Sequence, residues 1–254
     1  YHWFTDWGRD TMIAMRGLII ATGKKEAAKS ILRTFLQYLD GGMIPNRFPD
    51  LGEKPEYNTI DATLWLFVAL HEYHEQFHDV EFIRSFFGKL TEIINAHYAG
   101  TRYNIHVTPE GLLYGGQDGT QLTWMDAKVG DYVVTPRIGC PVEINALWFN
   151  ALSVYVSFGN LLGFPVSGYV QKLKDLKSVF RSHFINEKGY LNDVVIPGHK
   201  ADETIRPNQV YAISLPFSPL TNTEAKRVLD VVHQHLYTEY GLRSLSPFHP
   251  DFKP

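Results

Sequence analysis

Asp126 lies in an irregular segment, QLTWMDAKVGD, directly after Trp124 and Met125. A carboxyl group that packs against apolar side chains keeps its proton to a higher pH, because burial penalises the charged form. Such a group can act as a general acid and protonate a leaving oxygen. A nearby cation such as Lys128 would have the opposite effect, and a carboxylate that closes an Asx turn is the structural alternative. Asp126 is therefore the first candidate for acid catalysis.

Aromatic side chains alternate with Asp, Glu, Arg and Asn in segments at the ends of the helical runs. Aromatic rings stack on the apolar C–H faces of sugars, while carboxylates, amides and guanidinium groups form paired hydrogen bonds with hydroxyls. Each cluster alone also fits a structural role, because Trp and Tyr need polar partners at helix ends. Together they predict a carbohydrate ligand. The segments are HWFTDWGRD (2–10), IPNRF (44–48), EYNTIDATLW (56–65), LTWMDAK (122–128), PVEINALW (141–148) and RPNQ (206–209).

Hydrolysis of a glycosidic bond needs a second carboxylate. The separation of the two groups sets the stereochemistry, at about 6.5–9.5 Å for inversion and about 5–5.5 Å for retention. An ion pair of Asp6 with Arg9, or a first-turn position for Glu143, is the structural alternative for two of the candidates. The sequence leaves the choice open among Asp6, Asp10, Asp61, Glu143 and Glu203.

The elements that must position these residues are helices, because apolar residues recur at helical spacing. The runs are Asp10–Thr22, Glu26–Leu39, Thr59–Phe77, Glu81–Tyr98, Glu143–Leu162, Val166–Phe184, Asn208–Leu215 and Glu224–Leu236. Short links predict antiparallel helical hairpins. The long connections, 101–141 and 186–207, are expected to gather on one face and to form the site. The first of them contains RYNIHVTPEGLLYG, which predicts a small β-hairpin.

Composition excludes several other functions. The 24 Lys and Arg and 27 Asp and Glu give a net charge of −3 without a basic stripe, so nucleic acid and anionic membrane are poor partners. No apolar run approaches the roughly 20 residues of a membrane span. Cys140 is the only cysteine, which excludes an internal disulfide and fits a reducing cytoplasm.

The segment HEYHEQFH (71–78) is interpreted as solvated surface histidines, and no metal site is predicted.

Five longer motifs resemble the C-terminal amylo-α-1,6-glucosidase domain of glycogen debranching enzymes, in the single-function style of bacteria and archaea. The motifs are DWGRDTMIAMRGL, YNTIDATLW, QLTWMDAKVGDYVVTPRIGCPVEINALW, RPNQVYAISLPFSPL and GLRSLSP. The resemblance extends from Phe4 almost to the end of the chain. It implies an all-α (α/α)6 toroid, with six inner and six outer helices and the site in a funnel formed by loops. The expected organisation is one catalytic domain over residues 1–254.

The resemblance also implies the chemistry. Asp126 is expected to be the general acid in the inverting hydrolysis of the α-1,6-linked branch glucose of glycogen or a limit dextrin. The reaction needs no metal or cofactor, and the expected compartment is the cytoplasm. The matching motifs place further residues in the substrate funnel: Trp7, Arg9, Asp10, Asn46, Arg47, Asp61, Trp65, Trp124, Lys128, Glu143, Arg206 and Asn208.

Eight helical runs are fewer than the twelve of a complete toroid, so the chain is expected to be a fragment that lacks the last helices. The resemblance also implies that the general base of such toroids comes late in the chain, so the base is expected to lie beyond Pro254. Two alternatives remain open. One is a non-catalytic toroid that binds glucan. The other is a different enzyme on the same fold, such as a glucoamylase-like or trehalase-like glycosidase or a sugar epimerase, which product analysis would distinguish.

Overall fold

The structure is a computed structural model that describes residues 6–48 and 54–253. Its helices confirm the eight predicted runs, with boundaries shifted by a few residues. They are α1 (Gly8–Met15), continued by a π-helical turn (Arg16–Ile20), α2 (Lys25–Gln37), α3 (Ala62–Phe77), α4 (Val80–Ala99), α5 (Val142–Leu162), α6 (Ser167–Phe184), α7 (Tyr211–Ser214) and α8 (Asn222–Leu236). Short 3-10 turns lie at Arg102–Asn104 and Pro207–Val210, the latter leading into α7.

Inner and outer helices alternate along the chain. Helix α3 packs between α1 and α5, and α5 in turn contacts α7, so these four form the inner layer. Helices α3 and α5 are apolar and buried around nearly their whole circumference. In contrast, α2, α6 and α8 bury a single stripe, as outer helices do. This inner and outer alternation is the arrangement of an (α/α) toroid.

Local signals end and begin these helices. Helix α5 stops at Gly163, which has a φ of 76° and provides the left-handed C-cap that residues with a side chain rarely adopt. Helix α8 starts with a capping box, in which the Thr221 hydroxyl accepts from the Glu224 amide and the Glu224 carboxylate accepts from the Thr221 amide. Both signals are readable in the sequence, which explains why the helix boundaries could be predicted.

The strands are two residues long and form antiparallel pairs. The predicted hairpin is confirmed: β1 (His106–Val107) pairs with β2 (Leu113–Tyr114). The sequence does not predict three other strand pairs in the described residues, because two residues are too few to show an alternation of apolar and polar side chains. They are β3 (Lys128–Val129) with β4 (Tyr132–Val133), β5 (Cys140–Pro141) with β6 (Val194–Val195), and β7 (Tyr237–Thr238) with β8 (Gly241–Leu242). The β5–β6 pair joins the two long connections, which therefore do meet.

The histidine segment at the end of α3 differs from its interpretation as a solvated surface. His74 to His78 has the HExxH spacing, but His78 has a φ of 49° and lies beyond the last helical turn. His71 and His74 are half-buried and pack on Phe217 and Phe158, with ring centroids 5.3 and 5.6 Å apart. Within residues 6–48 and 54–253, no group of three or more His, Cys, Asp or Glu side chains is arranged to hold a metal ion.

None of the helices in the described ranges is long and apolar enough to cross a membrane.

Candidate active site

Asp126 lies two residues before β3, and its side chain faces Arg9 at the start of α1. The Nη1 atom of Arg9 is 3.5 Å from Oδ2 of Asp126. The Asp126 side chain is 55% exposed, whereas that of Arg9 is 13% exposed. The expectation of an apolar setting after Trp124 and Met125 is therefore not met, because the carboxylate points to a guanidinium group and to solvent. Asp126 is accessible to a ligand in this structure.

Arg9 is held in place by groups from two other segments of the chain, 59–61 and 122–126. Its Nε donates to both carboxylate oxygens of Asp61, at 2.9 and 2.8 Å, and its Nη2 donates to the carbonyl of Leu122 at 3.2 Å. The Thr59 hydroxyl in turn donates to Asp61 at 2.6 Å. Burial alone would lower the pKa of Arg9, but Asp61 and Asp126 raise it above its ordinary value. Asp126 thus has a permanent cation beside it.

Gly8 allows Arg9 to reach this position. The Gly8 amide donates to the carbonyl of Asn46 at 2.7 Å, and a Cβ at Gly8 would lie 2.1 Å from the carbonyl oxygen of Pro45. Any side chain would push the start of α1 away from the segment that contains Asn46. The glycine in the WGRD motif is therefore a requirement of close backbone approach.

On the other side of Asp126, Asn208 connects the loop to the interior. Its Oδ1 accepts from the indole Nε1 of Trp124 at 2.9 Å, and its Nδ2 donates to Oδ1 of Asp193 at 2.8 Å. The same Nδ2 lies 3.4 Å from the sulfur of Met125. Asn208 is completely buried, while Trp124 is 40% exposed. One carboxamide thus orients both residues that precede Asp126 and leaves a face of the indole accessible.

A buried ionic cluster supports Asn208 through the carboxylate of Asp193. Arg137 forms ion pairs with both Glu143 and Asp193, and all three side chains are at most 3% exposed. Arg206 adds a longer contact, with Nε 3.5 Å from Oδ2 of Asp193. Burial alone would lower the pKa of Arg137, but the two carboxylates raise it. Burial raises the pKa of Glu143 to about 7, and Arg137 acts in the opposite direction.

Arg137 and Asp193 were missed by the sequence analysis. Arg137 lies inside the long QLTWMDAK…NALW motif and Asp193 inside GYLNDVV, both in irregular segments without periodicity. Only the β5–β6 pairing, which aligns Pro141 with Val194, places them side by side. Asp193 directly precedes the apolar run Val194–Ile196, and a charge next to such a run was a signal that could have indicated a buried, paired carboxylate.

The predicted residues near the start of the chain form a short ladder. Trp7 and Arg47 form an isolated antiparallel β-bridge, and Arg47 forms a second one with Glu56. Arg47 also forms an ion pair with Glu56 at 2.7 Å. Asn46 is buried, and its Nδ2 donates to Oδ1 of Asn58 at 3.2 Å. Trp7, at 37% exposed, presents a ring to solvent two residues before Arg9.

The structure separates the predicted funnel residues by exposure. Trp7, Asp10, Trp124, Lys128 and Asp126 are exposed, and Arg9, Arg47 and Arg206 are partly exposed. The other five are buried and expose little surface to a ligand, and their place in the funnel stays a prediction. Their packing and hydrogen bonds fit a supporting role instead; Trp65, for example, packs edge-on against Tyr211 at 5.5 Å. The buried ones are Asn46, Asp61, Trp65, Glu143 and Asn208.

Three of the five candidates for a second carboxylate are committed to ion pairs. Asp61 is bound to Arg9, Glu143 to Arg137, and Glu203 to Lys188 at 2.9 Å. A carboxylate with its lone pairs on a cation is a poor base for a water molecule. Asp6 and Asp10 are exposed, and within the described part of the chain neither forms an ion pair.

Sequence comparison assigns a family to the whole chain. A family model described as amylo-alpha-1,6-glucosidase matches residues 1–254. The glycogen debranching enzyme of Saccharomyces cerevisiae is 23% identical over 98% of this chain, which spans 22% of the length of that enzyme.

Structure comparison confirms the toroid. The GH63 mannosylglycerate hydrolase from Thermus thermophilus, solved in complex with glucose, superposes with a TM-score of 0.68 at 14% identity, over 98% of this chain and 74% of that one. A GH78 family rhamnosidase of Bacillus sp. GL1 superposes with a TM-score of 0.69 at 11% identity, over 90% of this chain and 22% of that one. At these identities the similarity is one of fold.

Proposed function

Since the chain belongs to the amylo-alpha-1,6-glucosidase family, we propose that it hydrolyses the α-1,6-linked branch glucose of glycogen or a limit dextrin, with Asp126 as the general acid. The observation that carries the proposal is the exposed carboxylate of Asp126, two residues after the partly exposed indole of Trp124. An aromatic ring can stack on a sugar and a carboxyl group can protonate a glycosidic oxygen, so this short segment supplies both kinds of side chain to a sugar substrate.

In this mechanism, Asp126 donates a proton to the glycosidic oxygen while a water molecule attacks the opposite face of the sugar. Arg9 fixes the position of the carboxyl group, and Asn208 fixes the indole, so both act by orientation. A bound glucan would displace water from the half-exposed loop, which favours proton transfer to the substrate. Asp61, Glu143 and Glu203 are poor candidates for the carboxylate that activates water, because each is held in an ion pair.

The test is the Asp126→Asn variant of the full-length protein, with release of glucose from phosphorylase limit dextrin as the readout. Removal of a general acid lowers turnover by about 10²–10⁴-fold. Binding of maltoheptaose and the melting temperature should stay near wild type, because the side chain is exposed. Asp131→Asn, which changes an exposed carboxylate in the turn between β3 and β4, is the matched control and should keep its turnover.

A second candidate function is glucan binding without catalysis. It is favoured by the contact of Asp126 with Arg9, an arrangement that suits a carboxylate that accepts hydrogen bonds from hydroxyls. Binding of maltoheptaose by a full-length protein that releases no glucose would establish this function. Asp126 would instead have a structural role if Asp126→Asn lowered the free energy of unfolding by as much as it raised the activation free energy of hydrolysis.

A further inference from the structure

A separate groove of about 600 Å³ lies at the end of the ladder that joins Trp7, Arg47 and Glu56. Glu56 is both a rung of the ladder and part of the groove wall. Its volume is within the range of about 300–1,000 Å³ that is typical of ligand sites. The lining residues are Asp40, Lys54, Pro55, Glu56, Tyr57, Asn58, Arg102 and Tyr103.

The polar side chains of this groove are already held in place. The guanidinium of Arg102 lies over the ring of Tyr57, 4.6 Å from its centroid, and its Nη1 donates to the carbonyl of Asp40 at 2.8 Å. Arg102 also forms an ion pair with the Asp40 carboxylate. The Tyr57 hydroxyl donates to the carbonyl of Tyr38 at 2.8 Å. A ligand would therefore meet planar groups whose rotamers are fixed before binding.

The charges of the groove favour a neutral ligand. The negative charges of Asp40 and Glu56 are balanced by the positive charges of Lys54 and Arg102. The groove therefore has no net charge that would attract a phosphate or a cation. Tyrosine rings combined with carboxylate, carboxamide and guanidinium groups match the apolar faces and hydroxyl pairs of a sugar. A neutral polyhydroxylated chain is the ligand class that fits this lining.

The wall of the groove is also strained. Tyr103 and Asn104 have φ values of 56° and 57°, so two consecutive residues with side chains adopt the left-handed region. Strain of this kind is concentrated at ligand clamps and active sites. Tyr103 is itself one of the residues that line the groove.

We propose that this groove binds a linear segment of the α-glucan whose branch point reaches Asp126. The proposal rests on the proposed function for the identity of the glucan. The ladder relates the two places: Trp7 lies two residues before Arg9, and Arg47 connects Trp7 to Glu56, which lines the groove. The groove would thereby increase the affinity for long chains without contacting the scissile bond.

The test is calorimetric titration of the full-length protein with maltoheptaose, a linear ligand that has no branch to cleave. Tyr57→Ala and Arg102→Ala should each weaken binding by about tenfold, the order expected from the loss of one stacked group. Tyr57→Phe keeps the ring and should bind like wild type. Tyr240→Ala removes a tyrosine that is 93% exposed on the turn between β7 and β8, and it is the matched control.

Kinetics on limit dextrin separates this proposal from that of hydrolysis. Tyr57→Ala should raise KM for limit dextrin and leave kcat unchanged. If no form releases glucose but Tyr57→Ala and Arg102→Ala weaken maltoheptaose binding, the groove stands and the hydrolysis proposal fails. If glucose is released and both variants bind maltoheptaose as tightly as Tyr240→Ala, the groove proposal is overturned. Because Arg102 is exposed, its variant remains informative if Tyr57→Ala folds poorly.

Discussion

The indole nitrogen of Trp124 donates a hydrogen bond of 2.9 Å to the carboxamide of Asn208, 84 residues further along the chain. Asn208 in turn donates to Asp193, which pairs with Arg137. Hydrogen bonds and an ion pair therefore connect Trp124 to the buried charges of Asp193 and Arg137. Each link of this chain can be removed separately, and the structure predicts a different result for each.

Removal of the indole N–H should affect catalysis more than stability. Trp124→Phe keeps an aromatic ring but leaves the Asn208 oxygen without its donor. We expect kcat to fall by about tenfold on limit dextrin, because the ring loses its fixed orientation. The melting temperature should fall by less than it does for Asn208→Ala, because only the buried Asn208 oxygen loses its partner. Asn208→Ala should be more destabilising, by about 1–3 kcal/mol, because it leaves buried partners unsatisfied.

A double-mutant cycle checks whether these two residues act together. If Trp124 and Asn208 act through one hydrogen bond, the effects of Trp124→Phe and Asn208→Ala on kcat should be clearly less than additive. Additive effects would contradict the connection and would indicate independent roles.

A lysine should not be able to replace the planar set of N–H donors of the Arg9 guanidinium group. Arg9→Lys keeps the positive charge near Asp126 but cannot reach Asp61 and Leu122 simultaneously, since an ammonium group lacks the planar array of donors. We expect a lower melting temperature and a fall in kcat, both measured on the full-length protein. Arg16→Lys changes a more exposed pair with Glu72 and is the control; equal losses in the two variants would argue against a special role for Arg9.

Arg137 should be among the most sensitive positions for stability. Arg137→Met leaves two buried carboxylates without their cation, which costs about 3–5 kcal/mol for a broken buried pair. Arg181→Met removes the partner of Glu224 at a position that is 41% exposed, where a surface pair contributes about 0–1 kcal/mol. Urea unfolding of both variants checks the contrast. A cost for Arg137→Met no larger than that for Arg181→Met would contradict the importance of the buried cluster.

Glu143 should make stability depend on pH. Its pKa is raised in the folded state from 4.5 to about 7, so between these values the folded protein holds a proton that the unfolded chain has released. The free energy of unfolding should therefore fall as the pH rises through this window, by up to about 1.4 kcal/mol per pH unit. Glu143→Gln removes this titration. Unfolding curves at pH 5 and pH 8 should show a smaller loss of stability for the variant, and parallel losses would refute the assignment.

The sequence alone determined the helices and the position of the acid candidate. Periodic apolar residues and local stop signals, such as Gly163, are properties of neighbouring residues and so can be read without a structure. The motifs around Asp126 also indicated a family, which the match over residues 1–254 confirmed.

Only the tertiary structure decided which polar residues meet. Arg9 and Asp61 are 52 residues apart in sequence and Arg137 and Asp193 are 56 apart, and no local period relates either pair. Their contacts follow from the packing of α1 against α3 and from the pairing of β5 with β6. The same packing buries Glu143 and Asn208 and leaves Asp126 exposed. The direction of a side chain from an irregular segment depends on what packs around it, and that information is non-local.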